Sequence, residues 1–431
     1  MKSFSKIFMF LSLFVALSSC EKKPVGGGEN NGGEEDIFMP SEGYIYFNIN
    51  PATRGELIED VLKGKNFNVV GYNYQSRWGA AVVQASQAFE SSLEVNGESK
   101  SYYMGTFYYA KTDGNGVQLV DGVQLVEWVG DETSGVHTYT YNGPDKSEVG
   151  NYKQWDGNLI YSFFAWYPTN LEFNTGATKS DGTAIKPYDF EGNPYIRYTL
   201  PTGVGARAAM EDVMTACRID VTKYNGSSVN FNMEHRLAAL DILANSIITL
   251  KSLKEAWPDK DFTGLDNATI TVENITGLKL KLNSIKERVK IPLNTNDDAE
   301  VMEASGSLTP TYDDFVCTDI SIPYYSMSED MKTLMGEDKL ILIPQTESIE
   351  AAMEIHYDVV LRVDGDVKMT IHYDRGNISD PTATKKVETT INGLEEKYYH
   401  YLELTFTASG VFLQARVDET WEPLDIKYSF E

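Results

Sequence analysis

Cysteine is scarce in this 431-residue chain, which holds only Cys20, Cys217 and Cys317. So few cannot build a disulfide framework of the kind that holds small secreted folds together. Basic residues are also short, with 37 Lys and Arg against 63 Asp and Glu, for a formal net charge of -26. A surface this acidic repels phosphate backbones and anionic headgroups, which excludes nucleic acid as a partner. Histidine is limited to His137, His235, His356, His372 and His400. None stands four residues from another or at a metal-site spacing from a cysteine. There is no Gly-x-Ser-x-Gly elbow, no phosphate loop and no dinucleotide fingerprint. The acidic pairs Asp297-Asp298 and Asp313-Asp314 are sequence neighbours, not carboxylates held across a cleft as a glycosidase requires. Asp113-Gly114-Asn115-Gly116 lacks the spaced ligands and closing Glu of a calcium loop, and reads as a hairpin turn. The expectation is a chain without metal, cofactor or enzymatic activity.

The beginning of the chain is more informative. Lys2 and Lys6 precede an apolar stretch from Ile7 to Leu17, and small residues lead into Cys20. That is the order of a secretory signal, and the apolar run falls short of the ~20 residues a membrane-spanning helix needs. Leu17-Ser18-Ser19-Cys20 resembles a bacterial lipobox, which implies cleavage before Cys20 and a diacylglycerol (with palmitate-type chains) on its sulfur. Each buried methylene contributes ~0.8 kcal/mol, so several acyl chains anchor a protein without a spanning helix. Residues 20–40, with Gly26-Gly27-Gly28, Gly32-Gly33 and Glu34-Glu35-Asp36, have no apolar pattern to offset the entropy of ordering and are expected to be a flexible tether.

Beyond the tether, Tyr, Thr, Val and Ile recur in short alternating runs punctuated by turn residues. Strands are expected at 43–49, 67–72, 101–109, 116–129 with a turn at Asp121-Gly122, 137–141, 159–166, 194–200, 229–233, 269–282, 339–343, 352–363, 368–373, 400–407 and 411–417. A short helix is expected around 56–62. Leu159 to Trp166 is almost continuously apolar, as in a strand buried on both faces. Arg236 to Trp257 fits a strand through Leu243 followed by a helical turn or two near 250–256. With no strand–helix–strand rhythm, the pattern implies a mainly β fold of β-sandwiches. The small-residue stretch Gly203 to Asp212 suggests a domain break, giving a signal over 1–19, a tether over 20–40, and sandwich domains over 41–210 and 211–431.

Several of these runs fall in the order of a known family. Ile49-Asn50-Pro51-Ala52-Thr53-Arg54-Gly55 resembles an early strand ending in a Thr-Arg-small step. Phe67 to Tyr72, then Tyr161-Ser162-Phe163-Phe164-Ala165-Trp166-Tyr167-Pro168, resemble its next strand and its aromatic strand. Asp212 to Ala216 with Val229 to Leu240, Leu340 to Gln345, Tyr399 to Phe406 and Val411 to Trp421 complete the series, with His235 one place later than the pattern has it. In this the chain is similar to the fimbrillin family of Bacteroidales, subunits and accessory lipoproteins of type V pili. The resemblance implies two tandem transthyretin-like β-sandwich domains and a place at the cell outer membrane, lipid-anchored and surface exposed, or in a fimbrium. It also implies proteolysis after an arginine and strand exchange with other fimbrial subunits; a host or bacterial surface receptor is a further partner. Arg54 and Gly55 are the candidate processing site. Leu424, Ile426, Tyr428 and Phe430 alternate beyond Trp421 and are the candidate donor strand, whereas 411–417 is expected to be the last strand of its own sheet. His235 is expected to be a packed structural residue. The two remaining cysteines are open between a pair and two buried free thiols. A glycan-binding surface lipoprotein is the alternative function, with Trp128, Trp155 and Trp166 to be weighed as a sugar platform.

Overall fold

The computed structural model describes residues 43–49, 62, 64–75, 89–95, 98–104, 123–131, 136–140, 155, 159–174, 194–223, 228–293, 303–317, 319–324, 331–336, 339–378 and 386–417. All of them lie in one compact unit spanning 39–431. The fold is mainly β, in several sheets that stack as sandwiches; among the described residues they enclose two large hydrophobic cores and a small third cluster of Leu243, Met331 and Tyr401.

The first half supplies β1 (Tyr46–Ile49), β2 (Phe67–Gln75), β3 (Phe89–Val95), β4 (Glu98–Met104), β5 (Gln124–Asp131), β6 (Val136–Thr140), β7 (Leu159–Tyr167), β8 (Glu172–Asn174) and β9 (Tyr195–Thr199). After the small-residue stretch come β10 (Met214–Val221), β11 (Ser228–Phe231) and β12 (Glu234–His235). One six-stranded sheet runs β12-β10-β7-β2-β5-β6. Its central strand β7 fulfils the expectation from its apolar run. Tyr161, Phe163, Ala165 and Tyr167 enter the smaller core, while Phe164 and Trp166, on the other face of the pleat, enter the larger. Against the smaller core lies a two-stranded ribbon, β1 paired parallel with β11.

The second half contributes β13 (Ala238–Ser246), β14 (Thr269–Asn283), β15 (Arg288–Pro292), β16 (Glu303–Ser305), β17 (Thr311–Tyr312), β18 (Ile322–Pro323), β19 (Lys332–Thr333) and β20 (Leu340–Leu342). It ends with β21 (Ile349–Val363), β22 (Asp366–Arg375), β23 (Glu388–Ile391), β24 (Tyr399–Thr407) and β25 (Gly410–Val417). Sheet β19-β13-β24-β25 faces sheet β17-β14-β21-β22, and their apolar faces meet in the larger core. Phe406 of one sheet stands edge-on to Tyr357 of the other at 4.6 Å. The Tyr373 hydroxyl donates to the Ala408 carbonyl at 2.8 Å, satisfying a polar atom that burial would otherwise leave costly.

The stretch from Arg236 to Trp257 behaves as expected, with strand β13 continuing to Ser246 before α1 (Leu250–Ala256). The switch has a local cause. Thr249 accepts from the Ser252 amide at 3.1 Å and Ser252 accepts from the Thr249 amide at 3.0 Å, a reciprocal cap that starts the helix. The sheets cross position 210 in both directions. β9, before it, pairs with β15, and β10, after it, pairs with β7. The small-residue stretch between them is fastened down: Arg207 donates to the Asp314 and Met335 carbonyls at 2.9 and 3.2 Å and lies 5.1 Å above the Phe315 ring.

Candidate functional site

A short two-stranded ribbon covers the smaller core. β1 is four residues long, and among the described residues its backbone pairs only with β11, Tyr46 opposite Ser228 through Ile49 opposite Phe231. Buried side chains tie the ribbon to the core. Ile45 and Phe47 point inward and are fully buried. Phe47 meets Phe163 edge-on at 5.3 Å and stacks against Phe231 at 5.8 Å. Phe67, Val69, Trp155, Met214 and Val229 complete this core. Upstream, the Gly43 carbonyl accepts from the Trp155 amide at 2.9 Å. On the outer face Asn48 lies opposite Asn230. The Asn48 side-chain amide donates to the Ser228 hydroxyl at 2.7 Å, and that hydroxyl donates to the Asn230 side-chain carbonyl at 2.8 Å. Removing β1 would leave the β11 backbone edge unpaired and uncover an aromatic trough, the two features an incoming strand satisfies together.

The residues singled out from sequence divide sharply. Cys20, Arg54, Gly55, Leu424, Ile426, Tyr428 and Phe430 lie outside the described residues, as do the 113–116 loop and the expected helix apart from Leu62. His235 is buried and structural, its Nδ1 bonded to the Asp212 carboxylate. Cys217 and Cys317 are both free thiols. Only Cys317 is buried, with burial raising its thiol to about 11; Cys217 is half-buried, on the β10 face opposite Met214 and Ala216, where it packs against the larger core. Trp155 and Trp166 are core residues and offer no sugar platform, and Trp128 is half-buried. The described residues contain no group of three or more His, Cys, Asp or Glu arranged to hold a metal ion, and no helix long and apolar enough to cross a membrane.

Sequence reasoning overlooked one constellation. Ile355-His356-Tyr357-Asp358 and Ile371-His372-Tyr373-Asp374 are the same tetrapeptide, and they pair antiparallel so that each His faces the other's Asp. His356 Nδ1 lies 2.6 Å from Asp374 and His372 Nδ1 lies 2.5 Å from Asp358, on the solvent side of the sheet. The two tyrosines stack at 4.9 Å on the inner side. The repeated tetrapeptide was the available signal. His400, by contrast, is buried in the larger core, where its Nε2 accepts from the Glu395 amide at 3.0 Å and burial holds its pKa below the usual range.

No family model matches the chain, and no curated protein matches it. Among solved structures it is similar to a fimbrial protein from Bacteroides vulgatus ATCC 8482, at 17% identity and a TM-score of 0.49, over 88% of this chain and 99% of that one. It is also similar to candidate cell adhesion proteins from Bacteroides uniformis ATCC 8492 and Bacteroides ovatus ATCC 8483. Each of these is 14% identical with a TM-score of 0.36, over 88% and 87% of this chain and 98% and 96% of theirs.

Proposed function

We propose that this protein is a structural or adhesive component of the cell surface, a fimbrial subunit or an accessory tip or anchor, exported as a lipoprotein on Cys20 and assembled by strand exchange. The observation that carries this reading is the position of β1. A single short strand follows the tether, precedes Arg54, and plugs an aromatic core through Ile45 and Phe47. A cut after Arg54 would free the lipid anchor and this strand in one piece. The vacated place would then suit an alternating strand such as Leu424 to Phe430 of another subunit, with backbone hydrogen bonds providing affinity and the apolar trough providing fit. The outer membrane, surface-exposed, is the corresponding location, and no enzymatic role is proposed.

The test is to treat the full mature chain with an Arg-specific protease and run it unheated in SDS. The account expects a new N-terminus at Gly55 and a ladder of resistant oligomers. A monomer that remains monomeric after cutting at Gly55 would sink assembly by strand exchange.

A further inference from the structure

The core-facing side chains of β1 explain why a strand binds, but not which of the alternating registers it adopts. Sliding a strand by two residues keeps the same face inward, so an apolar trough alone tolerates the slip. The polar face of the ribbon is what differs between registers. With Asn48 opposite Asn230, a side-chain amide reaches the Ser228 hydroxyl, which in turn donates to the Asn230 side-chain carbonyl; a two-residue slip that brings Asn50 to this place puts Ile49 where Phe47 stands, so aromatic and donor coincide in one register. Arg218 Nε, on the neighbouring β10, donates to the Asn230 backbone carbonyl at 2.6 Å and so fixes the backbone that carries the relay's acceptor.

We propose that Ser228 and Asn230 form a register pin, which admits a strand in the place of β1 only when an aromatic side chain at the Phe47 position is followed by a hydrogen-bond donor at the Asn48 position. This rests on the strand-exchange reading above. The selected partner is an extended segment of pattern apolar, any, aromatic, donor, apolar, running parallel to β11. Ile45-Tyr46-Phe47-Asn48-Ile49 has that pattern, and Ile426-Lys427-Tyr428-Ser429-Phe430 repeats it with a hydroxyl as donor. A second copy of this chain is therefore an admissible source of the strand. A register that brings no donor to this position loses the bond from the incoming side chain to the Ser228 hydroxyl, while the Ser228–Asn230 bond within β11 remains; one neutral hydrogen bond of this kind corresponds to roughly threefold to tenfold in affinity.

The experiment uses the full mature chain with a specific protease site inserted after Arg54, cut so that β1 stays bound without a covalent link. Labelled peptides of residues 43–49 and of residues 424–430 then compete for its place. Each is paired with a partner peptide in which Asn48 or Ser429 becomes Val, and each carries a photo-crosslinker at the Tyr46 or Lys427 position. The pin predicts that the natural peptides crosslink at Ser228 alone. The Val peptides should bind roughly threefold to tenfold more weakly and spread their crosslinks toward Asn230. On a Ser228→Ala chain the difference between natural and Val peptides should vanish. A purely structural role for Ser228 would weaken all four peptides alike and leave the crosslink position unchanged, which overturns the pin while exchange stands. If no peptide displaces β1, the strand-exchange reading fails, and the pin with it.

Discussion

The two large cores among the described residues are closed in different ways. The larger is enclosed between sheets whose longest strands, β14 and β21, run fifteen residues each and register with one another along most of that length. The smaller is covered by a ribbon of two four-residue strands, one of which is the first strand among the described residues. The fillings differ as well: Leu and Ile dominate the larger, whereas Phe47, Phe67, Trp155, Tyr161, Phe163 and Phe231 crowd the smaller. Aromatic side chains bury much area per residue, so a very short strand can be held by one or two of them. A four-residue strand is held by far fewer backbone bonds than a fifteen-residue one, so strand exchange as proposed above belongs to the smaller core.

Truncation in each core should separate these behaviours most clearly. Phe406→Ala removes a fully buried ring from between the large sheets and should cost about 3–5 kcal/mol in a denaturant titration. Its effect should be global, lowering amide protection in β14 and β21 together. Phe47→Ala removes the same ring from the smaller core, but hydrogen exchange should show loss concentrated in β1 and β11. An even loss of protection across the chain in Phe47→Ala would break the comparison.

A second probe tests how tightly the larger sandwich closes at its edge. Gly376 has φ +75°, and a β-carbon there would come within 1.9 Å of the Met353 carbonyl oxygen. Gly376→Ala should cost about 1–3 kcal/mol, since both the backbone conformation and the contact oppose it. Thermal unfolding of the purified variant reads this directly.

His400 gives the larger core a pH signature. Burial favours its neutral form, so the folded state binds the proton less readily than the unfolded chain. Its contribution is therefore fully present above the unfolded pKa of about 6.5 and is lost as pH falls through that value toward the lower folded one. Comparing unfolding free energies at neutral and mildly acidic pH, His400→Gln should remove part of the slope. An unchanged slope would place the pH sensitivity elsewhere. The smallest effect belongs to the His–Asp pairs on the outer sheet face. His372 is largely exposed, so His372→Ala should cost less than about 1 kcal/mol, measured as a shift in denaturant midpoint.

Much of this was legible in the sequence because alternation is a local property. The β7 run, a strand giving way to a helical turn near 250–256, and the closing strands β24 and β25 all followed from side-chain period and composition within a few positions, whereas the Thr249–Ser252 cap that sets the switch emerged from the structure. Which strands pair is decided at long range. That β9 would join β15, or β10 join β7, depends on packing between segments separated by tens of residues, and no local pattern carries it. The same holds for the ribbon. The strand Tyr46 to Ile49 could be read, but its parallel partner Ser228 to Phe231 and the Asn48–Ser228 contact could not. The His356 and His372 pairing was within reach, since identical tetrapeptides in adjacent antiparallel strands place each His across from an Asp.

The central claim is that the lipid anchor and β1 are a single removable piece. Its most direct test is the N-terminal sequence of the protein recovered from assembled surface filaments on intact cells. The account predicts Gly55. Filaments whose subunits still begin at lipidated Cys20 would contradict it.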